Sequence, residues 1–150
     1  MKNCRSLGLI VHGDFIIGLP GETHETIERS LRFAQELDCE TIQVSIAHSY
    51  PGTEFDEYLR KNNYYTGDAM TDELGHQLPN LEYPGLTRQE IVEAVEHFYD
   101  RYYFRPRIVF RIVRRGLFNH TERKRLYKEA KEFLRLRARR KQFAKAQAKA

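Results

Sequence analysis

The pattern of apolar and polar residues predicts two strand–loop–helix units in the first half of the chain. Residues 9–17 contain a largely apolar strand, which breaks off at the Gly-Leu-Pro-Gly sequence of residues 18–21. After Thr23, a candidate N-cap, apolar residues recur at helical spacing. The inward-facing residues of this predicted helix are Ile27, Leu31, Ala34 and Leu37.

A second unit of the same kind follows directly. Residues 41–47 alternate and are rich in β-branched side chains, which is typical of a strand, and they lead into a loop with Pro51 and Gly52. A helix is predicted from Thr53 to about residue 61, with Asp56 three residues after the cap. Because both loops follow the carboxyl end of a strand, they are predicted to form the ligand rim of part of a (β/α) barrel.

The second half of the chain is predicted to be a long loop followed by three helices. Residues 64–86 are irregular, and loops of that length are often functional. Thr87 and Glu90 form a capping box that opens a helix, which Pro106 interrupts. The apolar positions of these two helices are Ile91, Ala94, Val95, Phe98 and Tyr102, then Ile108, Val109, Ile112, Val113 and Leu117, the latter set opposite Arg107, Arg111, Arg114 and Arg115. A last helix is predicted from residue 119, before a basic tail at 138–150.

This order of elements predicts an α/β fold, namely the last two β/α units of a partial (β/α) TIM-type barrel followed by a C-terminal helical extension. Residues 1–65 are predicted to be the C-terminal part of the barrel, 66–86 a loop or lid, and 87–150 the basic helical extension. Two strands alone do not form an independent sheet with a covered core. We therefore expect the missing N-terminal part of the barrel to be a partner of this chain.

Composition adds few functional constraints. The chain is 41% hydrophobic and 31% charged, and it contains no apolar run of the length that spans a bilayer and no visible signal peptide. Cys4 and Cys39 have no partner spacing, which indicates a reducing, cytoplasmic location, and Cys4 is interpreted as a bystander thiol rather than a ligand. The six histidines show no HxxxH or HExxH spacing, so no metal site is predicted.

The charge is distributed unevenly along the chain. Residues 1–104 contain 8 Lys/Arg and 18 Asp/Glu, a formal charge of −10, whereas residues 105–150 contain 17 and 3, a formal charge of +14. Three interpretations of the basic segment stay open. It is a solvated face of helices that pack on the barrel, or residues 105–141 contact the inner membrane peripherally, or it binds nucleic acid. Nucleic acid is the least favoured of these, because no aromatic stacking platform supports it.

Two segments carry a resemblance to a known family. The sequence from Gly13 to Thr23, followed about thirty residues later by Ser49 to Phe55, resembles the fifth and sixth strands of radical S-adenosylmethionine enzymes. The resemblance is closest to the cobalamin-binding subfamily, and residues 12–23 also resemble hopanoid-biosynthesis-associated radical S-adenosylmethionine proteins. The specific motifs cover residues 11–65.

The resemblance implies a set of cofactor-binding residues. Those implied for the adenosyl pocket are Phe15, Ile17, Gly18, Leu19, Pro20, Gly21 and Glu22 from the first unit, and Ala47, His48 and Ser49 from the second. A missing side chain at Gly18 lets ligand and backbone approach closely. Glu22 either holds the loop or caps the next helix. His48 is either a ligand contact or a simple loop histidine.

The implied cofactors are S-adenosylmethionine and a 4Fe-4S cluster, with cobalamin as a further candidate. The cluster motif CxxxCxxC is absent, so the isolated chain cannot hold the cluster in that way and is expected to be inactive. The expected activity of the whole enzyme is cleavage of S-adenosylmethionine to a 5′-deoxyadenosyl radical that acts on a lipid-like substrate, a hopanoid side chain. No catalytic residue is assigned, although Tyr64, Tyr65 and Tyr83 either line a substrate channel or pack under the loop. The alternative is a non-catalytic α/β module with a basic helical arm that binds an anionic membrane or nucleic acid.

Overall fold

A computed structural model of the chain describes residues 2–67 and 79–118, together with the isolated helical positions 128, 131, 135 and 138. The elements are α1 (Lys2–Ser6), β1 (His12–Ile17), α2 (His24–Leu37), β2 (Thr41–Ile46), α3 (Glu54–Lys61), α4 (Arg88–Tyr103) and α5 (Pro106–Phe118). Residues 1–98 and 99–150 form two compact units. No helix in the described ranges is long and apolar enough to cross a membrane.

The first unit is an α/β structure around a parallel pair of strands. Strands β1 and β2 pair in register from His12 opposite Thr41 to Ile17 opposite Ile46. Because side chains alternate along a strand, paired residues share a face of the sheet. One face is covered and carries the apolar side chains Ile17, Ile42, Val44 and Ile46, all buried. The opposite face, which we call the open face, carries His12, Asp14, Ile16, Thr41 and Gln43, all exposed.

Helix α2 connects the two strands and packs against β1. Thr23 is the N-cap, since its side chain accepts from the backbone N–H of Thr26 and the Thr26 side chain accepts in return from the backbone N–H of Thr23. The inward-facing residues Ile27, Leu31 and Ala34 are buried. The helix ends at Asp38, which takes the left-handed conformation with φ of 52°. The predicted cap and core positions of this helix are therefore confirmed, apart from a partly exposed Leu37.

The chain after β2 forms α3, and residues 79–86 then pack against the loops that follow β1 and β2. Thr53 caps α3 by accepting from the Asp56 N–H at 3.2 Å, as the sequence predicts. Residues 68–78 of the predicted lid lie outside the described residues. The bridge from Tyr65 to Leu81 joins the described parts on either side, and a second bridge pairs Tyr83 with Leu86 within the later part. Because Leu81, Tyr83 and Leu86 are buried, this part of the loop belongs to the core of the first unit.

Helix α4 opens with the predicted capping box. The backbone N–H of Thr87 donates to the Glu90 carboxylate at 2.7 Å, and the Glu90 N–H donates to the Thr87 hydroxyl at 3.3 Å. Within the first unit, Phe98 of α4 packs on Phe15 of β1 with ring centroids 5.3 Å apart. Two histidine–carboxylate contacts join α2 to α4 on the surface: His24–Glu90 at 3.3 Å and His97–Glu28 at 2.7 Å.

The second unit contains the end of α4 and all of α5. The helices are separated at Phe104 and Arg105, and Pro106 occupies the first position of α5, where its missing N–H costs no hydrogen bond. The Arg105 side chain donates to the carbonyl of Tyr102 at 3.0 Å and lies 4.5 Å from the centre of its ring. The interruption predicted at Pro106 is therefore confirmed. Apart from the isolated helical positions, the predicted last helix and the basic tail lie outside the described residues.

Candidate functional site

The two predicted ligand loops begin side by side at the carboxyl edge of the sheet. The Ala47 N–H donates to the Ile17 carbonyl at 2.7 Å, which extends the strand pairing by one residue. Gly18 follows directly and is buried. A Cβ placed on Gly18 would lie 3.7 Å from the Ala47 Cβ and 3.5 Å from the Leu81 Cδ1. Gly18 and Ala47 therefore lie next to each other, because the carboxyl ends of two paired parallel strands meet at the same edge of the sheet.

The first loop is closed by Glu22. Gly18 has φ of +95° and Gly21 has φ of +79°, values in the left-handed region that favours glycine. The Glu22 carboxylate accepts hydrogen bonds from the backbone N–H groups of Gly18 and Leu19. Burial raises the pKa of Glu22, and these two bonds oppose the increase. Of the two roles predicted for Glu22, holding the loop is therefore the observed one, since Thr23 caps the helix.

Tyr83 holds the same loop from the other side. Its hydroxyl donates to the Gly18 carbonyl at 2.9 Å. The side chain is buried, its ring meets Tyr64 edge to face with centroids 5.4 Å apart, and burial raises the pKa of Tyr83 above its usual range. Of the predicted alternatives for this tyrosine, packing beneath the loop is the one observed. Side chains consequently hold the Gly18 backbone at both its N–H and its C=O.

The second loop is anchored by a polar cluster with three buried members and the exposed Arg60, which we call the Ser49 cluster. It consists of Ser49, Asp56, Arg60 and Asn80. Asn80 accepts from the Ser49 N–H at 3.3 Å and donates to the Ser49 carbonyl at 3.2 Å and to its hydroxyl at 3.0 Å. The Ser49 hydroxyl donates to Asp56 at 3.4 Å.

Arg60 completes the Ser49 cluster. Its Nε donates to Asp56 at 2.9 Å, and its guanidinium carbon lies 4.0 Å from the centre of the Tyr65 ring. The hydrogen bond from Arg60, together with its positive charge, holds the pKa of Asp56 below its usual range. The sequence shows Asp56 only as a cap position, and neither Arg60 nor Asn80 carries a local signal. These contacts make the backbone beside Ser49 a rigid part of the edge.

His48 lies between the strand end and the Ser49 cluster. Its side chain is half-buried and meets Tyr50 edge to face, with centroids 5.8 Å apart. Within the described residues, its Nδ1 is buried and has no hydrogen-bond partner. Burial lowers the pKa of His48, which favours the neutral ring. A neutral imidazole has one donor and one acceptor nitrogen, and the buried Nδ1 of His48 serves as neither within the described residues.

The remaining predicted site residues divide between the edge and the core. Leu19, Pro20 and Gly21 are exposed at the edge. Phe15 and Ile17 are two residues apart, so both side chains lie on the covered face of the sheet. Their side chains face the core, and at the carboxyl edge only their backbone atoms are available for a ligand. Ala47 and Ser49 are buried and likewise offer mainly backbone.

The described residues contain no group of three or more His, Cys, Asp or Glu side chains that could hold a metal ion. The whole chain has two cysteines, and a 4Fe-4S cluster held by three thiolates needs three. The residues of this chain therefore do not fit such a cluster. At the carboxyl edge, exposed Leu19 and Tyr50 provide apolar surface, and the Tyr50 ring lies beside His48.

Sequence comparisons identify two relatives, both longer than this chain. An alignment over 120 residues, 74% of this chain, is 32% identical to a Pyrococcus horikoshii protein named uncharacterized methyltransferase, of which it covers 24%. An alignment over 102 residues, 64% of this chain, is 26% identical to an uncharacterized protein of Methanocaldococcus jannaschii, of which it covers 32%. No protein-family model matches the chain. No solved structure matches it either.

Proposed function

We propose that this chain is part of an S-adenosylmethionine-dependent enzyme and supplies one wall of its adenosyl pocket. The similarity to a protein named as a methyltransferase supports an enzyme of this kind, because methyl transfer commonly uses S-adenosylmethionine. The wall consists of residues 18–22 after β1 and residues 47–50 after β2. It lies where open α/β sheets bind ligands, outside the carboxyl ends of adjacent parallel strands.

The observation that carries this proposal is the Gly18 backbone, which side chains hold at the carboxyl edge of the sheet. Glu22 and Tyr83 hold the Gly18 backbone at its N–H and its C=O, so the loop that carries exposed Leu19 needs no further ordering when a planar base binds. His48 lies at the same edge with its ring half-buried, next to the exposed Tyr50. Exposed Leu19 gives the apolar contact that the face of an adenine needs.

The proposed architecture is a partial (β/α) barrel, completed by strands outside this chain. Parallel sheets are ordinarily covered on both faces, yet the face of β1 and β2 that carries Asp14 and Gln43 is open. In a (β/α) barrel the helices cover the outside and the opposite face of each strand lines the interior. The open face would then be the interior wall, which agrees with a chain that spans 24% of its Pyrococcus relative.

We further propose that this enzyme is of the radical S-adenosylmethionine class. This proposal rests on the resemblance of residues 11–65 to radical S-adenosylmethionine enzymes. S-adenosylmethionine bound beside a reduced 4Fe-4S cluster supplies a 5′-deoxyadenosyl radical in such enzymes. The cluster ligands would come from outside this chain, whose own residues bind and orient the adenosyl end. A hopanoid or other lipid-like substrate, and cobalamin as an additional cofactor, rest on the same resemblance.

The proposal is tested by titrating the ¹⁵N-labelled chain with S-adenosylmethionine and with 5′-deoxyadenosine, each to about 1 mM or above, where weak partial sites are detected. The expected result is a set of amide shift changes confined to residues 18, 19, 21 and 22 and to residues 47–50. Cytidine at the same concentration controls for non-specific binding. Absence of shift changes at these residues, or equal changes with cytidine, would overturn the proposal.

A pair of glycine variants provides a matched control. Gly18→Ala and Gly8→Ala both force a side chain into the left-handed region, at φ of +95° and +71°, without a contact below 3.4 Å. Only Gly18 lies at the carboxyl edge, so Gly18→Ala is expected to weaken binding of S-adenosylmethionine about tenfold and Gly8→Ala less than about twofold. Equal affinities for the two variants would contradict the placement of the ligand.

A further inference from the structure

Helix α5 has two chemically distinct sides. At about 100° per residue, four apolar residues fall within an arc of about 140° and three arginines fall within about 60° on the opposite side. The apolar face of α5 consists of Ile108, Val109, Ile112 and Val113. The arginine face of α5 consists of Arg107, Arg111 and Arg114. Phe110 lies at the border between the two faces.

Most of the apolar face of α5 is exposed. Ile108 is buried, whereas Ile112, Val109, Val113 and Phe110 have exposed fractions between 38% and 68%. These four are neighbours on one side of a single helix, so they form a continuous apolar surface rather than scattered exposed residues. A contiguous exposed patch of this kind marks an interaction site.

The charge of residues 105–150 indicates what kind of partner α5 binds. Residues 105–150 carry a formal charge of +14, while the rest of the chain carries −10. A partner that matches both properties of α5 must be anionic at its surface and apolar beneath it. A nucleic acid satisfies the arginines but offers no apolar surface to Val109, Ile112 and Val113, which are exposed on the apolar face.

We propose that α5 binds the surface of an anionic lipid bilayer. The helix lies parallel to the membrane plane, with Val109, Ile112 and Val113 in the boundary between headgroups and acyl chains. The arginine face lies among the lipid phosphates, where long guanidinium side chains reach the headgroups from a helix at this depth. The basic residues beyond α5 add electrostatic attraction to the same surface.

The test is flotation of the purified 150-residue chain with vesicles of phosphatidylcholine alone and with about 30% phosphatidylglycerol. The chain is expected to float with the anionic vesicles and not with the neutral ones at about 50 mM NaCl, and the bound fraction is expected to fall severalfold at about 500 mM NaCl. Equal flotation with both vesicle types, or with neither, would overturn the proposal.

Two pairs of matched variants separate apolar insertion from simple charge attraction. Val113→Asp and Phe33→Asp make the same charge change at side chains that are 52% and 55% exposed, on α5 and α2 respectively. Val113→Asp is expected to lower the bound fraction about fivefold and Phe33→Asp less than about twofold. The second pair is Arg114→Gln on α5 and Arg32→Gln on α2, both at exposed positions. Only Arg114→Gln is expected to weaken binding to anionic vesicles.

Control experiments show whether each variant is folded and whether α5 binds nucleic acid instead of a membrane. Far-ultraviolet circular dichroism and thermal unfolding of each variant establish that it is folded, and because all four positions are exposed the variants are expected to match the original chain. If Val113→Asp folds and binds anionic vesicles as well as the original chain does, insertion of the apolar face is refuted. Tight binding to duplex DNA that is unchanged by Val113→Asp, without flotation on vesicles, would identify a nucleic-acid partner instead.

Discussion

Replacing Asn80 with alanine removes the side chain that joins the 79–86 segment to the end of β2. Asn80 exchanges three hydrogen bonds with Ser49, at 3.3, 3.2 and 3.0 Å, and both residues are buried. Each bond contributes about 1 kcal/mol net, and its loss leaves buried Ser49 groups without that partner. The Asn80→Ala variant is therefore expected to lower the free energy of unfolding by about 3 kcal/mol.

The assay is urea unfolding followed by circular dichroism, with Asn62→Ala as the matched control. Asn62 donates one hydrogen bond, to the Tyr58 carbonyl at 2.7 Å, and is exposed, so its replacement should cost about 0.5 kcal/mol. With a slope of about 1.5 kcal/mol per molar urea, the two midpoints should differ by about 1.7 M. Hydrogen exchange at the Ser49 amide should accelerate in Asn80→Ala alone. If the free energies of unfolding of the two variants differ by less than about 1 kcal/mol, the hydrogen bonds of Asn80 do not stabilise the fold as we expect.

Two further predictions concern the same edge of the sheet. Tyr83→Phe removes the hydroxyl that donates to the Gly18 carbonyl at 2.9 Å and is expected to lower the free energy of unfolding, measured by thermal unfolding, by about 1 to 2 kcal/mol. The control Tyr58→Phe, at an exposed ring, should leave the free energy of unfolding almost unchanged. Equal losses in the two variants would contradict the role of Tyr83. Because Arg60 lowers the pKa of Asp56 in the folded state, the stabilisation from this carboxylate is complete above its unfolded pKa and is lost as the pH falls through the folded pKa. The stability difference between the original chain and Asp56→Asn should therefore narrow from about pH 6 to about pH 3, and a difference that does not change with pH would contradict the ion pair.

The helix boundaries of this chain are predictable because the information for them is local. Thr23, Thr53 and Thr87 each cap a helix through a residue three positions later, and a three-residue pattern is visible in any sequence. The apolar run that predicts β1 and the alternation that predicts β2 are equally local. For the same reason, the break before Pro106 follows from the chemistry of a single residue.

The contacts that shape the candidate site are not local, and the sequence does not reveal them. Asn80 and Ser49 are 31 positions apart, and Tyr83 and Gly18 are 65 positions apart. Neither pair belongs to a recurring pattern, so only the folded chain brings them together. The adenosyl residues implied by resemblance stay predictions, although the alternation of β1 already places Phe15 and Ile17 on one face, which the structure identifies as the covered one.

The pairing of β1 with a single neighbour has a consequence for the behaviour of the chain in solution. In the part of the chain that the structure describes, the sheet has two strands, so each strand has an outer side whose peptide N–H and C=O groups lack a strand partner. Such edges are templates for strand addition, and the same atoms that would receive the next strands of a completed barrel can receive a strand from another copy. We therefore expect the chain to self-associate as its concentration rises, and to become monomeric when the neighbouring strands are supplied.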